Sequence, residues 1–320
     1  DAAVPARQRL LAALRCPRCR QALGDTAGVI ACRAGHPVAD GGGWLDLSGD
    51  AADAVTGRTF ESFGYEWTTF SEIRPEDEGY WREYTADVPW DELTGAIGVD
   101  VGCGKGRYSR PTAQRLAGLV ALDGSGAVAA AARNLGSQPN VVVVRTDLRD
   151  DRLAEGAFGF VSCLGVLHHL ADPRAAFARI VRLLAPGGVL LVYLYSRPEG
   201  PGLRATALRL ATTLRKATVR MPHRLLRPLC YPLAALLYGL VVVPGAAGER
   251  RGPKRLTGLP LEVYRGSPLR SLWLDTFDRL SAPLEHRFTW DEVRPWVDEA
   301  GLEVLAVRTW GGLMITARRR

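Results

Sequence analysis

The chain has 320 residues, 47% hydrophobic and 23% charged, an ordinary globular composition long enough for about two domains. Its net charge of +7 permits RNA, an anionic membrane or an acidic substrate as partner and chooses none of them. Six cysteines do not make a disulfide framework, which excludes a small stapled scaffold and favours a reducing cytoplasm.

A helical pattern over residues 7–14 leads into Cys16-Pro17-Arg18-Cys19, and Cys32-Arg33-Ala34-Gly35-His36 follows after a twelve-residue spacer. Two ligand pairs on two tight turns suit a tetrahedral zinc ion, with Cys16, Cys19, Cys32 and His36 as its ligands. Short strands are expected at 21–23 and 28–31. The spacing resembles the zinc ribbon of bacterial large-subunit rRNA guanine methyltransferases. It is also similar to small zinc-binding proteins that partner methyltransferases. In both a glycine-rich hydrophobic segment follows, the place taken here by residues 41–47. Four protein ligands leave no open position, so this zinc is structural.

Residues 48–57 read as a linker. The segment Phe60-Glu61-Ser62-Phe63-Gly64-Tyr65-Glu66-Trp67 is too rich in rings for a solvated loop. It is either a helix packed on a sheet edge or an aromatic lid over a cationic cofactor, with Tyr65 as the contact. Residues 71–92 read as helical cover.

From residue 96 strands and helices alternate, the signature of a parallel sheet with right-handed crossovers. The first strand breaks into Asp100-Val101-Gly102-Cys103-Gly104-Lys105-Gly106-Arg107, and a helix is expected over 107–117. The glycines permit positive φ and close approach of a ligand. Their spacing departs from the dinucleotide fingerprint, whose third glycine would stand at Arg107. Strands are expected at 119–123, 140–144, 158–164 and 189–195, with helices over 127–135 and 174–184. Asp123, before Gly124-Ser125, ends the second strand, where a carboxylate can accept both ribose hydroxyls. Thr146-Asp147-Leu148 follows the third strand, and Leu164-Gly165-Val166-Leu167-His168-His169-Leu170 the fourth.

This set, with Pro186-Gly187-Gly188 before the fifth strand, resembles class I S-adenosylmethionine-dependent methyltransferases over residues 96–196. Among them it is most similar to quinone C-methyltransferases, tRNA wobble-uridine carboxymethyl methyltransferases and biosynthetic enzymes. The resemblance implies a Rossmann-like, doubly wound α/β sheet of seven strands closed by an antiparallel hairpin. It implies S-adenosylmethionine contacts from Tyr65, Asp100, Gly102, Cys103, Gly104, Gly106, Arg107, Asp123, Gly124, Ser125, Thr146, Asp147, Leu148, Leu164 and Gly165. Asp147 would pair with the adenine amino group, unless it serves as a turn cap.

Residues 197–288 interrupt the pattern, with arginines at 204, 209, 215, 220, 224 and 227 and Lys216 ahead of an apolar run over 229–243. Fifteen residues are short for a membrane span. The insertion is read as a helical cap over the substrate or a dimer contact, with peripheral membrane contact as the second reading. A loop is expected over 245–260. Thr289 and Glu292 form a capping box for a helix ending at 300–301, and residues 302–308 and 313–317 form the closing hairpin around 309–312. The organisation is thus a ribbon (1–48), linker and lid (49–95), core (96–196), insertion (197–288) and final helix and hairpin (289–320).

Methyl transfer rests on positioning and exclusion of water. A protonated nucleophile also needs a base, for which His286, then His168 and His169, are candidates, although proximity alone would serve some acceptors. A small-molecule acceptor is favoured over RNA, because the sequence after the fourth strand lacks the motifs of base-amine and pyrimidine-C5 methylases. The ribbon and the arginines support the RNA reading. A non-enzymatic activator would show a degraded cofactor pocket, and the pocket residues are all present.

Overall fold

The computed structural model describes residues 4–49, 54–198, 200, 202–249, 261, 264–309 and 311–320. Residues 50–53 of the expected linker, most of the expected 245–260 loop and Trp310 of the hairpin turn lie outside them. Contacts divide the chain into two units, Asp1–Ser196 with His286–Arg320, and Arg197–Glu285.

In the first unit, helix α1 (Ala6–Ala12) precedes a two-stranded ribbon of β1 (Leu23–Thr26) and β2 (Val29–Cys32), and two short strands follow, β3 (Ala39–Asp40) and β4 (Leu45–Asp46). Helix α2 (Ala54–Thr69) begins inside the stretch read as linker, and α3 (Pro75–Tyr84) carries proline in its first turn. The alternating core runs β5 (Ile97–Val101), α4 (Ser109–Ala113), β6 (Gly118–Asp123), α5 (Val128–Leu135), β7 (Val141–Arg145), β8 (Phe158–Leu164), α6 (Pro173–Leu183) and β9 (Leu184–Leu194). Helix α4 is shorter than the expected 107–117. Pro111 lacks an N–H, and the Gln114 N–H bonds back only three residues, to the Pro111 carbonyl, so the helix tightens and stops.

The main sheet has nine strands in the order β10-β11-β9-β8-β5-β6-β7-β4-β3, with β5 to β9 parallel and β9, β11 and β10 antiparallel. Here β10 is Leu302–Arg308 and β11 is Leu313–Arg319. The expected seven strands are present, and two more extend the sheet beyond β7. Strand β4 pairs parallel to β7 (Leu45 with Val144), and β3 pairs antiparallel to β4. This addition pairs Val144 and Arg145, the carboxyl end of the edge that β7 would otherwise leave open.

Period-two alternation sends Val99, Val120, Val142 and Val144 to one face, beneath Leu10 and Leu11 of α1 and Phe177 and Ile180 of α6. Leu119, Ala121, Val141 and Val143 go to the other face, with Ala113 of α4 and Leu135 of α5. Helices therefore lie on both faces of the sheet. Helix α11 of this unit (numbered in chain order, Trp290–Glu299) starts at the expected capping box, where the Thr289 N–H donates to Glu292 Oε2 at 2.8 Å.

The second unit contains α7 (Leu203–Thr218), α8 (His223–Leu237), a π turn (Tyr238–Val242), α9 (Val243–Glu249) and α10 (Leu269–Ser281), with α10 packed on α7 and α8. From His223 to Ala247 the helix is continuous for 25 residues, long and apolar enough to cross a membrane by length and composition. This corrects the sequence expectation. Pro228 and Pro232 lie inside α8, and the π turn carries the chain past Gly239 rather than ending the helix there.

Leu47 is fully buried, and its N–H donates to the Arg145 carbonyl where β4 leaves the ladder with β7. Leu47→Ala is expected to lower the free energy of unfolding by about 2–5 kcal/mol in urea denaturation. A loss below about 1 kcal/mol would show that this edge does not unfold with the sheet.

Candidate functional site

Strand β5 lies between β8 and β6, so the chain reverses its direction of winding there. In open α/β sheets the crevice outside the carboxyl ends of such strands takes the ligand. The loop after β5 supplies the floor. Gly102, Gly104 and Gly106 adopt φ of 76°, 54° and 83°, and the Gly102 and Cys103 N–H groups both donate to the Leu122 carbonyl. A Cβ on Gly102 would fall 2.2 Å from Val166 Cγ2, in the loop after β8, so only glycine fits that contact.

Asp123 ties this loop to the next. One carboxylate oxygen accepts the Gly104 N–H at 2.9 Å, and the other accepts the Ser125 N–H at 2.8 Å and the Ser125 hydroxyl at 2.7 Å. Asp100 is buried one strand away and accepts the Ser109 hydroxyl at 2.6 Å and the Ser162 hydroxyl at 2.8 Å. Burial raises its carboxyl above the usual range against the pull of those two hydroxyls, and the charge of Asp123 adds to the rise. The same burial pushes the Cys103 thiol far up, so it stays protonated.

Helix α2 lies on this floor. Phe60 covers Gly124, where an added Cβ would come 2.4 Å from its ring, and Gly64 approaches Ser125 and Gly126. Trp67 covers Gly104, and Phe63 tilts against His169 with ring centres 4.8 Å apart. These positions recur at three- and four-residue spacing, one face of a helix. Tyr65 is half-buried and belongs to a different face of α2. The spacing of Phe60, Gly64 and Trp67 was the signal that would have singled them out.

Arg107 and Lys105 turn toward α3. Both ion-pair with buried Asp77, at 3.4 and 3.5 Å, and Lys105 Nζ also donates to the Glu72 carbonyl at 2.7 Å. Burial, helped by the charge of Arg107, lowers the Lys105 ammonium to about 8 despite Asp77. The Arg107 guanidinium stacks over Trp67 at 4.9 Å. Arg107 therefore joins the glycine loop to α2 and α3. At the end of β7, Asp147 caps the next turn by accepting the Arg149 N–H, and Arg149 also holds both of its carboxylate oxygens. The Thr146 hydroxyl donates to the Leu47 carbonyl and to Asp150. A small cleft is lined by Thr146, Asp147 and Leu148 and reaches Arg179 and Arg182 of α6.

The three candidate histidines converge beyond β8. His168 and His169 are buried with ring centres 4.4 Å apart, and His168 stacks on Tyr195 at 3.8 Å. The His286 N–H donates to the His168 carbonyl at 2.8 Å, and Arg287 lies over Tyr195. Tyr195 and Arg287 carried no sequence signal. His168 Nδ1 accepts the Tyr195 N–H at 3.4 Å, which places the proton of the neutral ring on Nε2. Burial, reinforced by His169, Arg287 and His286, holds its pKa well below the usual 6.5.

The second cluster is the ribbon. The ligand atoms of Cys16, Cys19, Cys32 and His36 all lie within 4.8 Å of one another. Cys19 and Cys32 Sγ are 3.5 Å apart, and His36 Nδ1 is 3.5 Å from Cys32 Sγ and 3.8 Å from Cys16 Sγ. Tetrahedral zinc with bonds of about 2.3 Å to sulfur and about 2.0 Å to nitrogen sets such atoms about 3.5–3.8 Å apart. The four side chains fit that ion.

A neutral buried His168 makes stability depend on pH. Below the unfolded value near 6.5 the unfolded chain binds a proton that the folded chain does not, so this contribution is complete above 6.5 and is lost as pH falls. Between pH 6.5 and 5 the wild type should lose stability more steeply than His168→Gln, by up to about 1.4 kcal/mol per pH unit in urea titrations. Equal slopes would remove the assignment.

Residues 99–192 match a family model described as a methyltransferase domain. A ubiquinone biosynthesis O-methyltransferase of Pseudomonas paraeruginosa is 33% identical over 147 residues, 43% of this chain and 61% of that protein. The enzyme of that name from Xanthomonas oryzae pv. oryzae is 37% identical over 109 residues, 33% of this chain and 46% of that protein. The chain thus spans about half to three fifths of the length of these curated relatives. A structure of human N-acetylserotonin methyltransferase with S-adenosylmethionine aligns at 14% identity and TM-score 0.48, covering 84% of this chain and 60% of that one. The matched stretch runs from β5 into β9 and includes the loops that build the crevice.

Proposed function

We propose that the chain is an S-adenosylmethionine-dependent methyltransferase acting on a hydroxyl of a small lipophilic molecule, and that its ribbon holds a structural zinc ion. The observation that carries the reading is the glycine floor fixed by Asp123 beneath α2, lying inside the matched domain. The relatives' names support the acceptor class, since they are O-methyltransferases of ubiquinone biosynthesis.

Bound S-adenosylmethionine would supply an electrophilic methyl for in-line displacement. The protein's part is to hold, enclose and deprotonate. Asp123 Oδ2 accepts only the Gly104 N–H and keeps a lone pair that can accept a ribose hydroxyl, whereas Oδ1 is already taken by the two Ser125 donors. The glycines let the backbone approach, and Asp100 and Asp123 together favour a cationic ligand. Phe60 and Trp67 exclude water from the floor, and an aromatic face attracts a sulfonium.

The acceptor hydroxyl must lose its proton. His168, with its proton on Nε2, is arranged to donate rather than to accept. Nε2 of His286 and Nε2 of His168 are both buried with no partner among the described residues; the Tyr195 N–H fixes the tautomer of His168 alone, so we assign His286 as the base.

Two outcomes are expected. Asp123→Ala should weaken S-adenosylmethionine binding at least about tenfold by calorimetry, with labelled methyl from the wild type entering solvent-extractable products. Label entering RNA, with binding that falls steeply with salt, would replace the small-molecule reading. Purified protein should contain one zinc per chain, and Cys32→Ser should lose it together with thermal stability. Absence of stoichiometric zinc would end the metal assignment.

A further inference from the structure

Charge is unevenly distributed. Residues 197–285 hold fifteen Arg and Lys against six Asp and Glu, a net +9 in a chain of net +7, so the remainder is −2. Exposed apolar surface gathers in the same unit: nine of the thirteen exposed large hydrophobic side chains among the described residues lie between 203 and 243.

They are ordered. On α7, Leu203, Leu210 and Leu214 recur at spacings of seven and four, one stripe of a helix, and all three are exposed. Arg209 and Lys216, also exposed, flank that stripe. On the helix His223–Ala247, Leu225, Leu229, Leu236 and Val243 form a second exposed stripe. Its other side is apolar as well: Leu226, Cys230 and Ala234 are buried where the helix packs on α10. A helix apolar all round is ordinarily buried all round, yet only 22% of this apolar window is covered.

We propose that the unit Arg197–Glu285 docks on the surface of an anionic lipid bilayer. The leucine stripes enter the boundary between headgroups and acyl chains, and the basic side chains meet lipid phosphates. Charge selects this occupant. A second copy would bring +9 against +9, and a nucleic acid would match the arginines but leave the leucines wet. The helix lies along the interface rather than across the membrane, because α10 already occupies one of its sides. This docking is independent of the reading of the crevice.

Flotation of the full chain with phosphatidylcholine vesicles, with and without phosphatidylglycerol, tests it. Binding should appear with the anionic lipid and fall in high salt. The pair Leu229→Glu and Leu236→Glu should reduce partition at least about tenfold with an unchanged melting profile. Arg209→Glu with Arg224→Glu should do the same, and decides the matter if the leucine pair fails to fold. Three results would overturn the proposal: equal or absent binding on both vesicles, resistance to alkaline extraction like a spanning helix, or a solution dimer dissolved by the leucine pair without change in vesicle binding.

Discussion

The carboxylate of Asp123 is the interaction on which the rest of the crevice depends. Three donors from two separate loops converge on it: Gly104 N–H, Ser125 N–H and the Ser125 hydroxyl. A charged acceptor strengthens each of those bonds relative to a neutral one, and the site is nearly dry. The loop after β5 takes three positive-φ turns within five residues, an unfavourable backbone for anything but glycine. Bonding to Asp123 and to the Leu122 carbonyl holds that loop in one shape. The floor is thus built before any ligand arrives.

The ribbon is wired into the same framework. Arg15 N–H donates to the Arg152 carbonyl, and Ala154 N–H donates to the Ala13 carbonyl, so the segment before Cys16 is stitched to the chain after β7. On the other side of the ribbon, β4 completes the ladder of β7, and the Gly49 N–H bonds Asp150. A hairpin too small for a core of its own therefore borrows one: Cys16, Leu23 and Cys32 belong to the same buried cluster as Val120 and Ile180. The segment before Cys16 and the segment after β4 therefore both bond the chain that follows β7, the first at Arg152 and Ala154 and the second at the Asp150 carboxylate.

Much of this was legible in the residues. Strands β5 to β8 came from apolar runs bounded by glycine or aspartate, and the capping box at Thr289 and the proline start at Pro173 came from local chemistry. The cluster of Cys16, Cys19, Cys32 and His36 was legible because its spacing in the chain pairs the side chains on two turns. What stayed hidden depends on distant partners. Nothing near residues 39–46 announces a strand, because those short segments gain their ladder only from β7. Asp77 reads as a surface charge on α3 until Lys105 and Arg107 are placed against it. The run over 229–243 read as too short for a span and as followed by a loop from 245, whereas a π turn carries the helix past Gly239 and it continues to Ala247.

The histidines illustrate how burial assigns roles that composition leaves open. All three candidates stand in one cluster, and their residue type alone makes them equivalent. A single backbone donor separates them. The Tyr195 N–H takes Nδ1 of His168, and desolvation keeps that ring neutral, so its proton sits on Nε2, which has no acceptor among the described residues, while the ring stacks on Tyr195. His169 is packed by Phe63 of α2, which joins the cluster to the same helix that covers the glycine floor. Any displacement of α2 must then disturb both the ring beside His169 and the cover over Gly104 and Gly124. Enclosure of the glycine floor and packing of the histidine cluster are for that reason one structural event, and α2 is the element that performs it.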